Sequence, residues 1–370
     1  MRRFLSLPVD WTLLFIPVLL VITGIITIYT ITFSQYQASL AINQLTFGVL
    51  GLIALVGFMF SDYRFLGSIS KILFVVGLLL LLPLLPFWAS DLPFVLKVYG
   101  AHRWLDFGPL QLQPAEVFKL IAAIFGAKYL AEKIGRLRYQ QAAIFISISL
   151  VSFGLVLLQP DLGTASVLLV VFAALFLATK PSSRTVLLLL ALAAVAMPIL
   201  WSNLKPYQKN RVETFLNPAS DPQGEGYNVR QSLIAVGSGG LMGRGFGQGS
   251  QTVLNFLPVP HADFIFAGFA EATGFIGSAI LIILYAILVL RAISIARLSL
   301  DPFGQLLAIA IAAKFLFQSV VHIGMNIGLL PVTGIPLPFM SYGGTALIID
   351  LASIGILESI YIRHKKFFFR

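Results

Sequence analysis

The 370-residue chain is 58% hydrophobic and 11% charged, with a mean hydropathy of +0.93, whereas a soluble globular domain is roughly one quarter charged. Too few charges are present to coat a water-soluble body of this size, so lipid must be the solvent for most of the surface. The net charge of +10, which in a soluble protein would hint at nucleic acid, reads here as retention of Lys and Arg on the cytoplasmic side, and the absence of cysteine excludes disulfides and thiolate metal sites.

A membrane span needs about 20 apolar residues to cross the ~30 Å hydrocarbon core. In chain order this window predicts ten spans: 11–33, 43–60, 70–88, 114–131, 141–158, 163–179, 184–201, 263–290, 303–326 and 343–362. Met1-Arg2-Arg3 before the first run resembles a secretory signal, but the run is long and more spans follow, so a retained span is expected. Each span must be helical, because no other unclosed backbone satisfies its hydrogen bonds in lipid. Pro17, Gly51, Gly77 and Gly154 lie inside spans and are tolerated there. The fold class predicted is an all-α polytopic helix bundle, with residues 1–370 forming a single integral membrane domain.

The positive charges orient it. With the N-terminus inside, the inner segments hold sixteen Lys and Arg: Arg2, Arg3, Arg64, Lys71, Lys128, Lys133, Arg136, Arg138, Lys180, Arg184, Arg291, Arg297, Arg363, Lys365, Lys366 and Arg370. The outer loops hold seven: Lys97, Arg103, Lys205, Lys209, Arg211, Arg230 and Arg244. The bias predicts both termini in the cytoplasm and the two longest loops, 89–113 and 202–262, outside. Loop 202–262 carries turns around Asn217-Pro218 and Asp221-Pro222, then a glycine-rich run from Gly237 to Gly249. That run matches no phosphate-loop spacing and is expected to make tight turns that let the loop lie against the bundle or a ligand. No internal repeat supports an inverted-repeat transporter.

Ionisable residues at membrane depth are functional candidates. Asp263 opens span eight ahead of an apolar, aromatic run, where desolvation would make it a better proton acceptor; it also reads as a helix N-cap. Glu271 is expected two turns further along the same face, either paired with a cation or functional. Glu116 and Lys119, three apart in span four, are expected to pair, as structural neutralisation or as a cation held beside a substrate phosphate. Asp161 sits in the turn between spans five and six. Lys314 in span nine has no partner nearby in sequence. His102, His261, His322 and His364 show no metal-ligand spacing, although carboxylates could hold a hard cation, Mg²⁺ or Mn²⁺, together with substrate phosphate.

Several strings resemble the SEDS family, which includes RodA, FtsW and SpoVE. They are Arg103-Trp104-Leu105, Gln113-Pro114-Ala115-Glu116 with Lys119, Gln159-Pro160-Asp161-Leu162-Gly163, Pro206-Tyr207-Gln208 with Arg211, and Gly226-Tyr227-Asn228 with Gln231-Ser232. Two more are Phe256-Leu257-Pro258 through His261-Ala262-Asp263-Phe264, and Leu330-Pro331 through Pro338-Phe339-Met340-Ser341-Tyr342-Gly343-Gly344. Gly334-Ile335-Pro336-Leu337-Pro338 and the short tails resemble the RodA, or elongation, branch.

The resemblance implies an inverting peptidoglycan glycosyltransferase of the bacterial cytoplasmic membrane, its site facing outward. It would polymerise lipid II into glycan with a class B penicillin-binding protein as partner. The family's catalytic aspartate falls on Asp263, which would take the proton from the acceptor 4-hydroxyl. Its other functional residues fall on Glu116, Lys119 and Asp161, and Glu271 and Ser341 join them as implied substrate-binding positions. Arg103, Lys119, Arg211 or a divalent cation would stabilise the leaving pyrophosphate. Three departures stand out: Ala262 where Thr is usual, Glu271-Ala272 where two glutamates are usual, and His322 where Asn is usual. A lipid II flippase and a non-catalytic scaffold for the transpeptidase are the other readings compatible with these strings.

Overall fold

The computed structural model describes residues 8–364 apart from 34–37, 90–91, 99–100, 109–110, 136, 204–205, 218–220, 222–223, 255 and 258. Arg2, Arg3, Arg136, Lys205, Lys365, Lys366 and Arg370 of the charge argument, and Pro218, Pro222 and Pro258 of the loop motifs, lie outside the described residues. The helices are α1 (Trp11–Phe33), α2 (Ala38–Phe60), α3 (Tyr63–Ser68), α4 (Ser70–Leu81), α5 (Pro114–Ala131), α6 (Tyr139–Leu158) and α7 (Leu162–Ala178). They continue with α8 (Ser183–Asn203), α9 (Pro206–Leu216), α10 (Glu225–Ser238), α11 (Ser250–Val253), α12 (Ile265–Leu298), α13 (Pro302–Asn326) and α14 (Gly344–Arg363).

All ten expected spans are helical for most of their length. Six of the helices, α1, α2, α6, α12, α13 and α14, are long and apolar enough to cross a membrane by themselves. Span three stops short, because Pro83 cannot donate to a continuing helix: α4 gives way to a 3-10 turn over Leu82–Leu84. Span eight begins two residues later than expected and runs on to Leu298, with one break at Gly274, whose φ of 68° and ψ of −163° are not helical.

The two long loops are not plain connections. Loop 89–113 folds as a three-stranded antiparallel sheet in the order β1 (Val95–Val98), β2 (Ala101–Asp106), β3 (Gln111–Leu112), with Val95 opposite Leu105 and Leu105 opposite Leu112. Loop 202–262 carries α9, α10 and α11. Its glycine run does make tight turns, with positive φ at Gly240, Gly243, Gly245 and Gly247.

Inside the bundle, α13 packs against α12, α7 and α5, while α14 lies along α2. That last contact is very close. A Cβ on Gly355 would come within 2.3 Å of the Leu55 carbonyl, and one on Gly51 within 2.4 Å of Leu351, so small residues let the two backbones approach as they do in membrane bundles generally. Several hydroxyls in the spans are satisfied locally: Thr27, Thr32, Ser149, Ser319 and Ser353 each donate to the carbonyl four residues back. Helix starts are capped by carboxylates, with Asp62 on α3, Asp161 on α7 and Asp301 on α13.

Candidate active site

Asp263 lies in the turn 261–264, ahead of α12. The first helical residue is Ile265, with Phe264 at the N-cap position and no side-chain cap there. Both sequence-based placements of Asp263 therefore change. It is not the N-cap, and it does not share a helical face with Glu271, because it precedes the helix.

The turn is clasped by the loop 330–343. Ser341 Oγ donates to Ala262 O at 2.9 Å and accepts from Leu337 N at 2.9 Å, while Tyr342 N donates to His261 O at 2.9 Å. Gln44 of α2 locks the far side of the same loop, donating to Ser341 O at 3.0 Å and accepting from Gly343 N at 3.3 Å. Ser341 thus touches the backbone beside Asp263. Gly334 of this loop has φ +72°, and a Cβ there would sit 3.9 Å from Asp263 Oδ1. Glycine supplies the left-handed backbone and leaves space beside the carboxylate.

His261 packs edge-on against Tyr342 with ring centroids 5.6 Å apart. Burial pushes its pKa down, so it is neutral at pH 7 and supplies no positive charge next to Asp263. Ala262 and Ala272, two of the departures, are used through their carbonyls, which accept from Ser341 Oγ and from Gly245 N. His322, the third, is fully buried on α13 and its Nδ1 lies 2.8 Å from Ile335 O. Only a protonated Nδ1 can donate to that carbonyl.

A second cluster surrounds the start of α5. Arg103 of β2 donates through Nε to Gln159 O at 3.3 Å and through Nη2 to Pro160 O. Asp161, next in that turn, accepts Thr164 N at 3.0 Å and Gln113 Nε2 at 3.3 Å. Gln113 N also donates to Thr345 Oγ1 of α14. One turn into α5, Lys119 Nζ and Glu116 Oε2 are 2.7 Å apart, both side chains buried. Lys314, unassigned from sequence, pairs with Asp350 of α14 at 2.8 Å and donates to Ser353 at 3.1 Å. The two pairs lie within Coulombic reach of one another, so four buried charges sum to zero, as burial demands. The loop 330–343 joins the two clusters: a Cβ on Gly163, two residues after Asp161, would meet Thr333 O at 2.7 Å.

Glu271 belongs to neither cluster. Fully buried on α12, it accepts the amides of Gln251 at 2.9 Å and Thr252 at 3.1 Å. It thereby receives α11 and the end of the glycine-rich run. Arg211 sits half-buried on α9, which borders α10.

Two residues escaped the sequence reading. Asp350 completes the Lys314 pair, and Asn326, at the end of α13, bonds the backbone of Asp263 and Ala267. Their only local signal is a polar side chain inside an apolar window. Among the described residues, no three His, Asp or Glu side chains gather as a metal cage. The arrangement offers one carboxylate on a doubly clasped turn, at the mouth of an apolar helix and beside a glycine gap. It is suited to accepting a proton.

The family model for FtsW, RodA and SpoVE, described as cell cycle protein, matches residues 5–366. The peptidoglycan glycosyltransferase MrdB of Escherichia coli K12 is 40% identical over 269 residues, 72% of either chain. A chain of the structure described as structural coordination of polymerization and crosslinking by a peptidoglycan synthase complex superposes with a TM-score of 0.80 at 30% identity, covering 98% of this chain and 99% of that one. The rod shape determining protein RodA of Thermus thermophilus gives a TM-score of 0.72 at 29% identity, covering 97% and 99%.

Proposed function

The chain belongs to the FtsW/RodA/SpoVE family of cell cycle proteins, and on that premise we propose that it is a peptidoglycan glycosyltransferase that polymerises lipid II at the outer face of the bacterial cytoplasmic membrane. Ten helices cross the bilayer in this reading, with both termini inside and the 89–113 and 202–262 segments outside, in keeping with the bias of positive charge. A role in cell elongation is supported by the likeness to a rod shape determining protein. A class B penicillin-binding protein as partner is supported by the likeness to a chain of a synthase complex.

In the reaction the acceptor's 4-hydroxyl oxygen attacks the anomeric carbon of the donor as the bond from that carbon to the lipid pyrophosphate breaks, inverting the centre. Asp263 takes the hydroxyl proton, and the pyrophosphate departs with the bonding electrons. A positioned base of this kind contributes about 10²–10⁴-fold. The observation that carries the assignment is the fixed turn, which holds Asp263 at the edge of an apolar helix beside the gap at Gly334.

Charge on the leaving group is the second requirement. Arg103 and Lys119 are committed to protein oxygens, so a role for either toward pyrophosphate needs those bonds to exchange. In this reading Arg211 on α9, Asp161 and Ser341 complete the substrate contacts, and Glu271 acts through the loop it holds. A Mg²⁺ or Mn²⁺ ion would be held by the pyrophosphate and water, a mode usual for Mg²⁺, since among the described residues no carboxylate cluster forms a cage for it. It would supply positive charge to the leaving group.

The test is glycan polymerisation from lipid II by the purified protein with its transpeptidase, comparing wild type with Asp263→Ala and Asp263→Asn. Polymer from wild type and none from either folded variant is the expected result. Variants as active as wild type, or no polymer from wild type with its partner and a divalent ion, would overturn the assignment, and lipid II flipping in vesicles would then test the flippase reading.

A further inference from the structure

In an α-helix the N–H of residue 267 would bond the carbonyl of residue 263. Here one side chain occupies both ends of that bond. Ala267 N donates to Asn326 Oδ1 at 3.1 Å, and Asn326 Nδ2 donates to Asp263 O at 3.1 Å. The same Nδ2 also donates to His322 O at 2.8 Å. The chemistry fixes which way the carboxamide points, since its nitrogen faces two acceptors and its oxygen faces a donor. Asn326 is fully buried, and its own carbonyl is held by Ser232 Oγ of α10 at 2.8 Å. The bond between Gly268 N and Phe264 O, 3.2 Å, follows directly after the bridge.

We propose that Asn326 is the positioning residue for Asp263. By bridging Asp263 and Ala267 it ends α12 just short of Asp263 and keeps that residue in the turn, with its carboxylate beside Gly334. The argument is one of obligatory pairing. Buried backbone groups must find partners, and without the carboxamide the cheapest partner for each of these two is the other. Direct pairing would extend the helix through Asp263 and swing its side chain onto the α12 surface, away from the gap. The clasp by Ser341 and Tyr342 holds only His261 and Ala262, so it does not replace this bridge. The proposal rests on the reading of Asp263 as the base.

The test compares wild type, Asp263→Ala, and Asn326→Leu, which keeps size and loses every hydrogen bond of the carboxamide. Initial polymerisation rates are measured against lipid II concentration and pH, together with amide hydrogen exchange over residues 259–270. The expected result for Asn326→Leu is a fall in kcat of ten-fold or more at nearly unchanged KM. The acid limb of the pH–rate profile should shift, and exchange should change in 259–270 with the rest of the bundle as in wild type. Wild-type kcat, pH profile and exchange in Asn326→Leu, with Asp263→Ala inactive, would overturn the positioning role and leave the base intact. An active Asp263→Ala would remove the base and the positioning role with it. Should Asn326→Leu not fold, Ser232→Ala, which removes the hydroxyl that holds the Asn326 carbonyl at 2.8 Å and lies 3.5 Å from its Oδ1, carries the same test. A reduced kcat at unchanged KM supports the role, and wild-type kinetics and exchange overturn it.

Discussion

The Glu271 carboxylate, buried on α12, accepts the Thr252 backbone amide at 3.1 Å, with the Gln251 amide beside it at 2.9 Å. Around that contact the glycine-rich run is sewn to the break at Gly274. Arg244 N donates to Glu271 O, Gly245 N to Ala272 O, and Phe275 N and Ile276 N donate to Gly240 O and Leu241 O. A broken helix leaves orphan donors and acceptors, and the loop satisfies them. Only glycine fits there, since a Cβ on Gly243 would lie 2.2 Å from Ala272 O.

Replacing Glu271 with Ala is therefore expected to act on stability first. It leaves two amides without an acceptor, and hydrogen bonds to a charged group are worth about 1.5–3 kcal/mol each. A loss on the order of 3 kcal/mol is expected for Glu271→Ala, and a smaller one for Glu271→Gln, which keeps one acceptor. Thermal unfolding in detergent checks this. A wild-type melting temperature with a raised KM would instead support direct contact with substrate.

Lys314 and Asp350 pair at 2.8 Å in the bundle interior. Removing one partner strands a buried charge, so Lys314→Met is expected to cost about 3–5 kcal/mol. Lys314→Met with Asp350→Leu should recover most of it, because the desolvation penalty goes with the charges. A double-mutant cycle on thermal unfolding measures the coupling, and additive losses would show that the pair does not act as a unit.

Arg103 reaches the carbonyls of both Gln159 and Pro160, just before Asp161. A planar guanidinium can serve two acceptors at fixed spacing and a single ammonium cannot do so in the same geometry. Arg103→Lys is thus expected to behave like Arg103→Ala, lowering polymerisation at least ten-fold while expression in the membrane persists. Full activity in Arg103→Lys would mean that charge alone suffices.

Tyr63 of α3 donates to Asp301 Oδ2 at 3.0 Å. Burial, and then the Asp301 charge, push its pKa up from about 10 to about 12. Between those values the unfolded chain has lost the proton and the folded chain keeps it. This contribution to stability is complete below pH 10 and is lost as pH rises through about 12. Melting temperature should fall over that window in wild type and fall less in Tyr63→Phe, which has no proton to lose. Equal slopes would show that Tyr63 does not titrate there.

The pairs that organise the site are separated in the chain, and this limits what could be read from it. Glu116 and Lys119 are three apart on one helix, so their contact was legible from spacing. Lys314 with Asp350, Asn326 with Asp263 and Gln113 with Asp161 span 36, 63 and 48 residues. No periodicity encodes such pairings. That Asp263 stands before α12 and not on it is hidden from spacing for the same reason, since the side chain bonded to both Asp263 O and Ala267 N comes from α13.

Residue order by itself determined the membrane class, the ten apolar segments and the chemically distinctive loop strings. Each is a local sum, of transfer free energies over about 20 residues or of residue types in a row, and local sums do not depend on how the segments pack. Only the tertiary structure decided that loop 89–113 is a sheet whose Arg103 holds the Asp161 turn, that Glu271 holds a loop, that Lys314 has a partner, and that Asn326 stands between Asp263 and Ala267. Within lipid there is no water to pair with a buried backbone group, so its partner must come from the protein itself. Which group satisfies which is settled when the helices meet.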